Sequence, residues 1–203
     1  MKKLIVLLLI AASGLSFRTA GGGYKVGDVA TDFKMKNVDG KTISLANYKN
    51  AKGYIVIFTC NHCPYAQAYE SRIMALDKMY AAKGYPVIAI SPNDPVAIPE
   101  DSYANMQKRA AERNYTFPYL LDETQDITRA YGATATPHVY VLQKTASGNV
   151  VRYIGAIDDD TEGKNPNKNN YVQKAVNALL NGTKPEITTT KAIGCSIKWK
   201  KEA

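Results

Sequence analysis

A chain of 203 residues with 45% apolar composition is long enough for one domain with a full-sized core. Its net charge of +8 is scattered, with one small cluster in the tail at "KWKK" (198–201). Such a distribution supports solubility and weak attraction to anionic surfaces, and it offers neither the concentrated basic stripe nor the recognisable module that nucleic-acid binding needs.

The chain opens with "MKKLIVLLLIAASGLSF": two lysines, an apolar stretch from Leu4 to Leu15, then small residues. That is the layout of a secretory signal, and the apolar stretch falls short of the roughly 20 residues a bilayer span takes. Residues 1–20 are therefore read as a signal peptide. Its cleavage point is left open, because Gly14-Leu15-Ser16 has small residues at the right spacing whereas Arg18 spoils Arg18-Thr19-Ala20. Cleavage after Ser16 removes Lys2 and Lys3 and takes the charge from +8 to +6. No cysteine lies nearby, which argues against a lipid-anchored start; a retained, uncleaved anchor is the alternative. Residues 24–203 then form a single domain of an exported, periplasmic or otherwise extracytoplasmic protein, with no stable membrane insertion once the signal is gone.

"YIVIFT" (54–59) is a continuous apolar run of strand length, as a central buried strand should be. From Pro64 onward Ala66, Tyr69, Ile73, Leu76 and Tyr80 recur at three- and four-residue steps, one face of an amphipathic helix that Gly84 closes. "PVIAIS" (86–91) is the next strand, so strand, helix and strand form a parallel crossover. A helix near 101–113, a short strand around "FPYLL" and a helical stretch near 124–131 continue the alternation. Two strands, "HVYVL" (138–142) and "VVRYI" (150–154), are joined by a Ser147-Gly148-Asn149 turn and must pair antiparallel. "DDDTEGKNPNKNN" (158–170) starts like a calcium loop, but its twelfth position is Asn169 rather than the required glutamate, so it is read as a solvated surface loop. A last helix, "YVQKAVNALLNG", ends at Gly182. The pattern is α/β: a central mixed sheet flanked by helices on both faces.

The chemistry concentrates in "IFTCNHCPYA" (57–66), where Cys60 and Cys63 stand at the junction of a strand and a helix. Unpaired backbone N–H groups and the helix dipole at such a junction favour an anion, which lowers a thiol's pKa and supplies the reactive thiolate. A second thiol one helical turn away can resolve the mixed disulfide that results. Cys60 is accordingly the nucleophile and Cys63 the resolving thiol. Asn61 and His62 lie between them, and His62 either tunes the pair by stabilising the thiolate or points into solvent. In "YGATATPHVYVL" (131–142), Thr136-Pro137 at a strand entrance invites a cis peptide bond, with an ordinary trans proline as the alternative.

"FTCNHCPY" together with "YGATATPHVYV" resembles the thioredoxin-like superfamily. The upstream "VGDVATDFKMKNVDGKTISLANY" (26–48) is similar to the opening of its alkyl-hydroperoxide-reductase/thiol-specific-antioxidant (AhpC/TSA, redoxin) branch, and the strand and helix between 114 and 131 fit an insertion of that branch. "SPNDP", "YIGAIDD" and "GCSIKWK" add the likeness of a peroxiredoxin-like group carrying a CxxC, over about residues 24–200. The resemblance implies a thioredoxin-like fold with an N-terminal extension and a strand–helix insertion. It also implies that Pro137 packs against the CxxC and that the backbone of Thr136 pairs with an extended substrate. Two departures stand out. Cys63 is followed by Pro64 as a peroxidatic cysteine would be, yet Cys60 occupies the place of the threonine that helps bind peroxide, Thr59 is one residue too far back, and no arginine partner is assignable. Tyr54 sits where a buried acid would assist resolution; Glu70 or Asp94 are the substitutes the chain offers.

Cys195, in "KAIGCSIKWK", is read in two ways: a third redox thiol folded back onto the active pair, or an inert cysteine in a tail strand beside Ile193, Ile197 and Trp199. Cys60 and Cys63 with His62 or His138 could also hold Cu(I) or zinc, but the second ligand pair of a structural zinc site is missing. A purely structural staple is a poor reason for two cysteines so close in sequence. The reading is an exported thiol–disulfide oxidoreductase without organic cofactor or metal, acting on protein or small-molecule thiols and disulfides and regenerated by an external redox partner. The alternatives are a thiol peroxidase with Cys63 peroxidatic and a thioredoxin-like copper metallochaperone.

Overall fold

The computed structural model describes residues 22–201; residues 1–20, expected to be a signal peptide, lie outside them. Three short strands, β1 (Val29–Ala30), β2 (Met35–Asn37) and β3 (Thr42–Ile43), form the N-terminal extension and lead into β4 (Gly53–Phe58). Then come α1 (Pro64–Tyr80), β5 (Val87–Ser91), α2 (Tyr103–Arg113), β6 (Tyr119–Leu121) and α3 (Asp126–Tyr131). The second half contains β7 (Ala135–Thr136), β8 (His138–Thr145), β9 (Gly148–Gly155), α4 (Tyr171–Leu180) and β10 (Cys195–Ser196).

Eight strands make one mixed sheet in the order β1-β9-β8-β4-β5-β6-β2-β3, while β10 and β7 form a separate two-stranded ladder. β4, β5 and β6 run parallel, and β8 lies antiparallel against the other side of β4. Two-residue periodicity decides what each strand faces. Ile55 and Ile57 of β4 join the cluster built with α1, α2 and α4 through Tyr69, Ile73, Leu76, Met106 and Val176. Tyr54, Val56 and Phe58 join the opposite cluster with Phe33, Leu45, Tyr131 and Ile197. Both faces of β4 are thus covered, which is why its sequence is apolar without alternation.

All five residues expected on the inner face of α1 are buried. The helix ends earlier than Gly84, however: a 3-10 turn over Ala81–Lys83 follows it, and Gly84 closes that turn at φ 94°. The β8–β9 connection is also tighter than expected, since the ladder runs to Thr145 opposite Gly148. The loop after β9 is not uniformly solvated. Asp158 is buried, taking Arg72 Nη1 at 2.8 Å to each carboxylate oxygen and Tyr69 Oη at 3.0 Å. Its neighbours Asp159 and Asp160 instead bind the loop's own amides, Asn169 N at 2.7 Å and Asn165 N at 2.8 Å. The fold thereby brings the C-terminal ends of β4 and β5, the N-terminus of α1 and the β7–β8 corner to one place.

Candidate active site

β4 gives out at Phe58, and the chain turns once through residues 59–63 before α1 begins. Thr59 N still bonds to Ile90 O at 2.9 Å, so the turn starts from a fixed point. Cys63 is the N-cap of α1 and Pro64 its first residue, where the missing N–H costs nothing because the first helical amides have no intrahelical partner. The Thr136–Pro137 peptide bond is cis and brings Thr136 between the two cysteines. Cys60 Sγ lies 3.2 Å from Thr136 Oγ1, and Cys63 Sγ lies 3.2 Å from the Thr136 carbonyl oxygen.

The sulfurs are not paired as expected. Cys63 is disulfide-bonded to Cys195, with Cα atoms 6.0 Å apart, and Cys60 is a free, buried thiol. Cys60, Cys63 and Ala66 form a small apolar cluster against which Cys195 packs. Cys195 is therefore not a free thiol packed in a tail strand: its strand pairs with β7, Cys195 opposite Thr136, which carries its sulfur to Cys63. Of its expected neighbours only Ile197 is buried; Ile193 and Trp199 are exposed, the latter lying over the Arg129 guanidinium.

The acid beside the thiols is Asp101, fully buried and absent from the sequence-based candidates. It belongs to a 3-10 turn, Pro99–Asp101, ahead of α2. Its Oδ1 accepts Asn61 N at 2.8 Å and His62 N at 3.0 Å; its Oδ2 accepts His62 Nδ1 at 2.6 Å and Asn93 Nδ2 at 2.7 Å. The two residues inside the CxxC are thus held from across the site. Asn61 is fixed further, its Nδ2 donating to Glu100 O at 2.9 Å and its Oδ1 accepting from Tyr119 Oη at 3.1 Å. Asp101 carried one signal in the sequence, an acidic pair opening a helical stretch, which equally describes an ordinary helix start.

Two expectations about electrostatics change here. His62 Nδ1 stands 3.6 Å from Cys60 Sγ but a full ångström closer to Asp101, so its Nδ1–H is given to the carboxylate and not to the sulfur. The Cys60 thiol is pushed up to about 11, first by burial and then by the negative charge of Asp101, which outweigh the hydrogen bonds from Thr136 and the turn's backbone. The low thiolate pKa expected of a strand–helix junction is therefore not found while Cys63 is bonded to Cys195.

Both substitute acids are engaged with other partners. Glu70 accepts Arg109 Nε at 2.9 Å and the Tyr115 hydroxyl, and Asp94 caps Val96 N at 3.1 Å. Tyr54 spends its hydroxyl on Leu45 O at 2.7 Å. Arg109, Glu70, Tyr115 and Tyr119 line a narrow cavity together with Cys60.

The ligand set for copper is not assembled as expected. The Cys63 sulfur is taken by Cys195, and His138 is buried with its Nδ1 accepting Thr134 N at 3.3 Å. Cys60 Sγ, His62 Nδ1 and an Asp101 oxygen do lie within 4.8 Å of one another. Among the described residues no helix is long and apolar enough to cross a membrane.

Comparison with known proteins places this site in context. The family model described as "AhpC/TSA family" matches residues 26–154. The chain is 27% identical over 158 residues to the thiol-disulfide oxidoreductase ResA of Geobacillus thermodenitrificans, covering 76% of this chain and 85% of that protein. An uncharacterized conserved protein from Geobacillus kaustophilus has a similar structure, with a TM-score of 0.78, 36% identity and coverage of 88% and 94% of the two chains. A thiol:disulfide interchange protein of the thioredoxin family from Chlorobium tepidum matches at TM-score 0.50 and 25% identity, over 63% of this chain and 85% of that one. The architecture is the thioredoxin-like α/β fold expected from the motifs.

Proposed function

The chain belongs to the AhpC/TSA family, and on that premise we propose that it is an exported oxidoreductase that exchanges disulfides through Cys60 and Cys63. The supporting observation is the arrangement around Thr136, where a free thiol and a disulfide-bonded sulfur each lie 3.2 Å from the same residue.

In the reducing direction the Cys60 thiolate attacks a substrate disulfide, forming a mixed disulfide and releasing one substrate thiol. Cys63 then attacks Cys60 Sγ, forming the Cys60–Cys63 bond and releasing the second thiol. Asp101 holds His62 through its Nδ1–H, so the imidazole stands beside Cys60 as a fixed part of the turn between the two cysteines. Asn61, Pro64 and Pro137 fix the backbone on either side of the sulfurs, and Thr136 shapes the groove. Substrates are protein or small-molecule disulfides, and an external thiol partner restores the dithiol. Export rests on the leader-like first 20 residues and on the presence of a disulfide, which persists in oxidising compartments.

The test is reduction of a fluorogenic peptide disulfide driven by dithiothreitol, with hydrogen peroxide consumption measured in parallel. Cys60→Ser should lower peptide turnover by roughly two orders of magnitude or more, since no other thiol stands in for the nucleophile. Cys63→Ser should trap substrate on Cys60. Undiminished turnover by Cys60→Ser would overturn the proposal. Fast peroxide consumption surviving in that variant would move the chemistry to Cys63 and make the protein a peroxidase.

A further inference from the structure

Cys195 reaches the site on a segment tied down at both ends. Upstream, Thr190 N bonds to Ile154 O at 3.0 Å, and Thr190 Oγ1 accepts Ala156 N at 3.0 Å and meets Tyr153 Oη at 2.6 Å. Downstream, Lys198 N donates to Asn93 Oδ1 at 2.9 Å, and the Lys198 carbonyl accepts Asp94 N and Gln125 Nε2, each at 2.9 Å. Gln125 Oε1 also accepts Lys200 N at 2.8 Å, and Ile197 is buried. Asn93 uses its other end on Asp101, so one side chain joins the tail anchor to the acid of the active site.

Between these anchors the span 191–196 carries Cys195 along β7. The approach is so close that a Cβ on Gly194 would stand 2.1 Å from Thr136 O. Only glycine fits there, and a chain held at both ends keeps its thiol at high local concentration whatever its bonding state.

We propose that Cys195 is a third catalytic thiol, which takes the disulfide from Cys60–Cys63 by attacking Cys63 Sγ. The proposal rests on the exchange function above. The Cys195 thiolate forms the Cys63–Cys195 bond, the Cys60–Cys63 bond breaks, and Cys60 leaves as a thiolate that takes up a proton. One disulfide is lost and one gained, so no further oxidant is consumed. The oxidising equivalents enter only with the substrate disulfide in the first step. The resulting species is the one in the structure: Cys63–Cys195 bonded, Cys60 a free thiol, and the edge of β7 occupied by β10. With Cys60 relieved of its disulfide, the electrons of the external reductant are delivered to Cys63 or Cys195.

The experiment uses the full chain, reduced and freed of reductant, then mixed with glutathione disulfide. Samples are acid-quenched at intervals, alkylated and mapped by mass spectrometry. Wild-type protein should pass through Cys60–Cys63 and finish with more than nine-tenths as Cys63–Cys195 and Cys60 alkylated. Cys195→Ser should stop at Cys60–Cys63. Gly194→Val, which pushes the tail off Thr136, should stop there too with Cys195 free. A wild-type end product of Cys60–Cys63 with Cys195 alkylated would overturn the proposal, and that reading needs no variant to fold. Failure of the exchange function looks different: Cys60→Ser would then react with glutathione disulfide as fast as wild type.

Discussion

Cys60, the proposed nucleophile, has a resting thiol's electrostatics. Its sulfur is buried beside the Asp101 carboxylate, and both effects disfavour the thiolate. The reactive species is the anion, so alkylation of Cys60 in the Cys63–Cys195 form should accelerate about tenfold per pH unit from pH 7 to 10, with no plateau below about pH 10. A stopped-time iodoacetamide series on the oxidised protein measures this. Asp101→Asn removes the charge that raises the thiol and should make the pH 8 rate several-fold faster; an unchanged rate would mean that burial alone sets the pKa. His62 lies beside Cys60 in sequence and space, yet its Nδ1 is committed to Asp101. Its ring is placed by Asp101, and a motif cannot display such a partner.

The elements around the site divide the labour between rigid support and an anchored cover. α1 is support: Tyr69, Ile73, Leu76 and Tyr80 lock its inner face against β4 and β5, so Cys63 at its N-cap is placed by the whole core cluster. Leu76 is 2% exposed, and Leu76→Ala should cost about 2–5 kcal/mol from lost transfer energy plus the cavity left behind. Urea unfolding with an unchanged m-value checks this, and a loss below about 0.5 kcal/mol would mean the helix face is looser than its burial indicates. β10 is the cover, two residues long and paired only with β7 among the described strands. So short a ladder contributes few hydrogen bonds, and its hold on the site comes from the disulfide and from anchors outside the strand. Segments motivated separately in the sequence meet here: "SPNDP" supplies Asn93 and Asp94 to the backbone of "GCSIKWK". Gln125, at φ 62° before α3, keeps a conformation uncommon for a residue with a side chain because that side chain bonds Pro92 and Lys198 carbonyls.

At the scale of the molecule, one sheet covered on both sides holds the parallel strands β4, β5 and β6 in the middle and puts the chemistry at their C-terminal end. His138 sits at the start of β8, buried, its ring 4.9 Å from that of Tyr140, and burial lowers its pKa to about 4. The folded chain holds that imidazole neutral while the unfolded chain protonates it near pH 6.5, so stability is lost as pH falls from 6.5 toward 4. Two to three units correspond to about 3 kcal/mol. Denaturant midpoints between pH 7.5 and 4.5 should fall less steeply in His138→Gln than in wild type; equal slopes would assign the acid sensitivity to the carboxylates. The sequence by itself determined the alternation of strands and helices, the buried face of α1 and the junction carrying Cys60 and Cys63, because each of these is written in the spacing of near neighbours. It did not decide which sulfurs join. Cys63 and Cys195 are separated by 132 residues, and Asp101 stands 39 residues from the histidine it holds. No local period links such pairs; they meet because the sheet order and the anchored tail bring them together, and among three thiols the geometry of that meeting selects the bond.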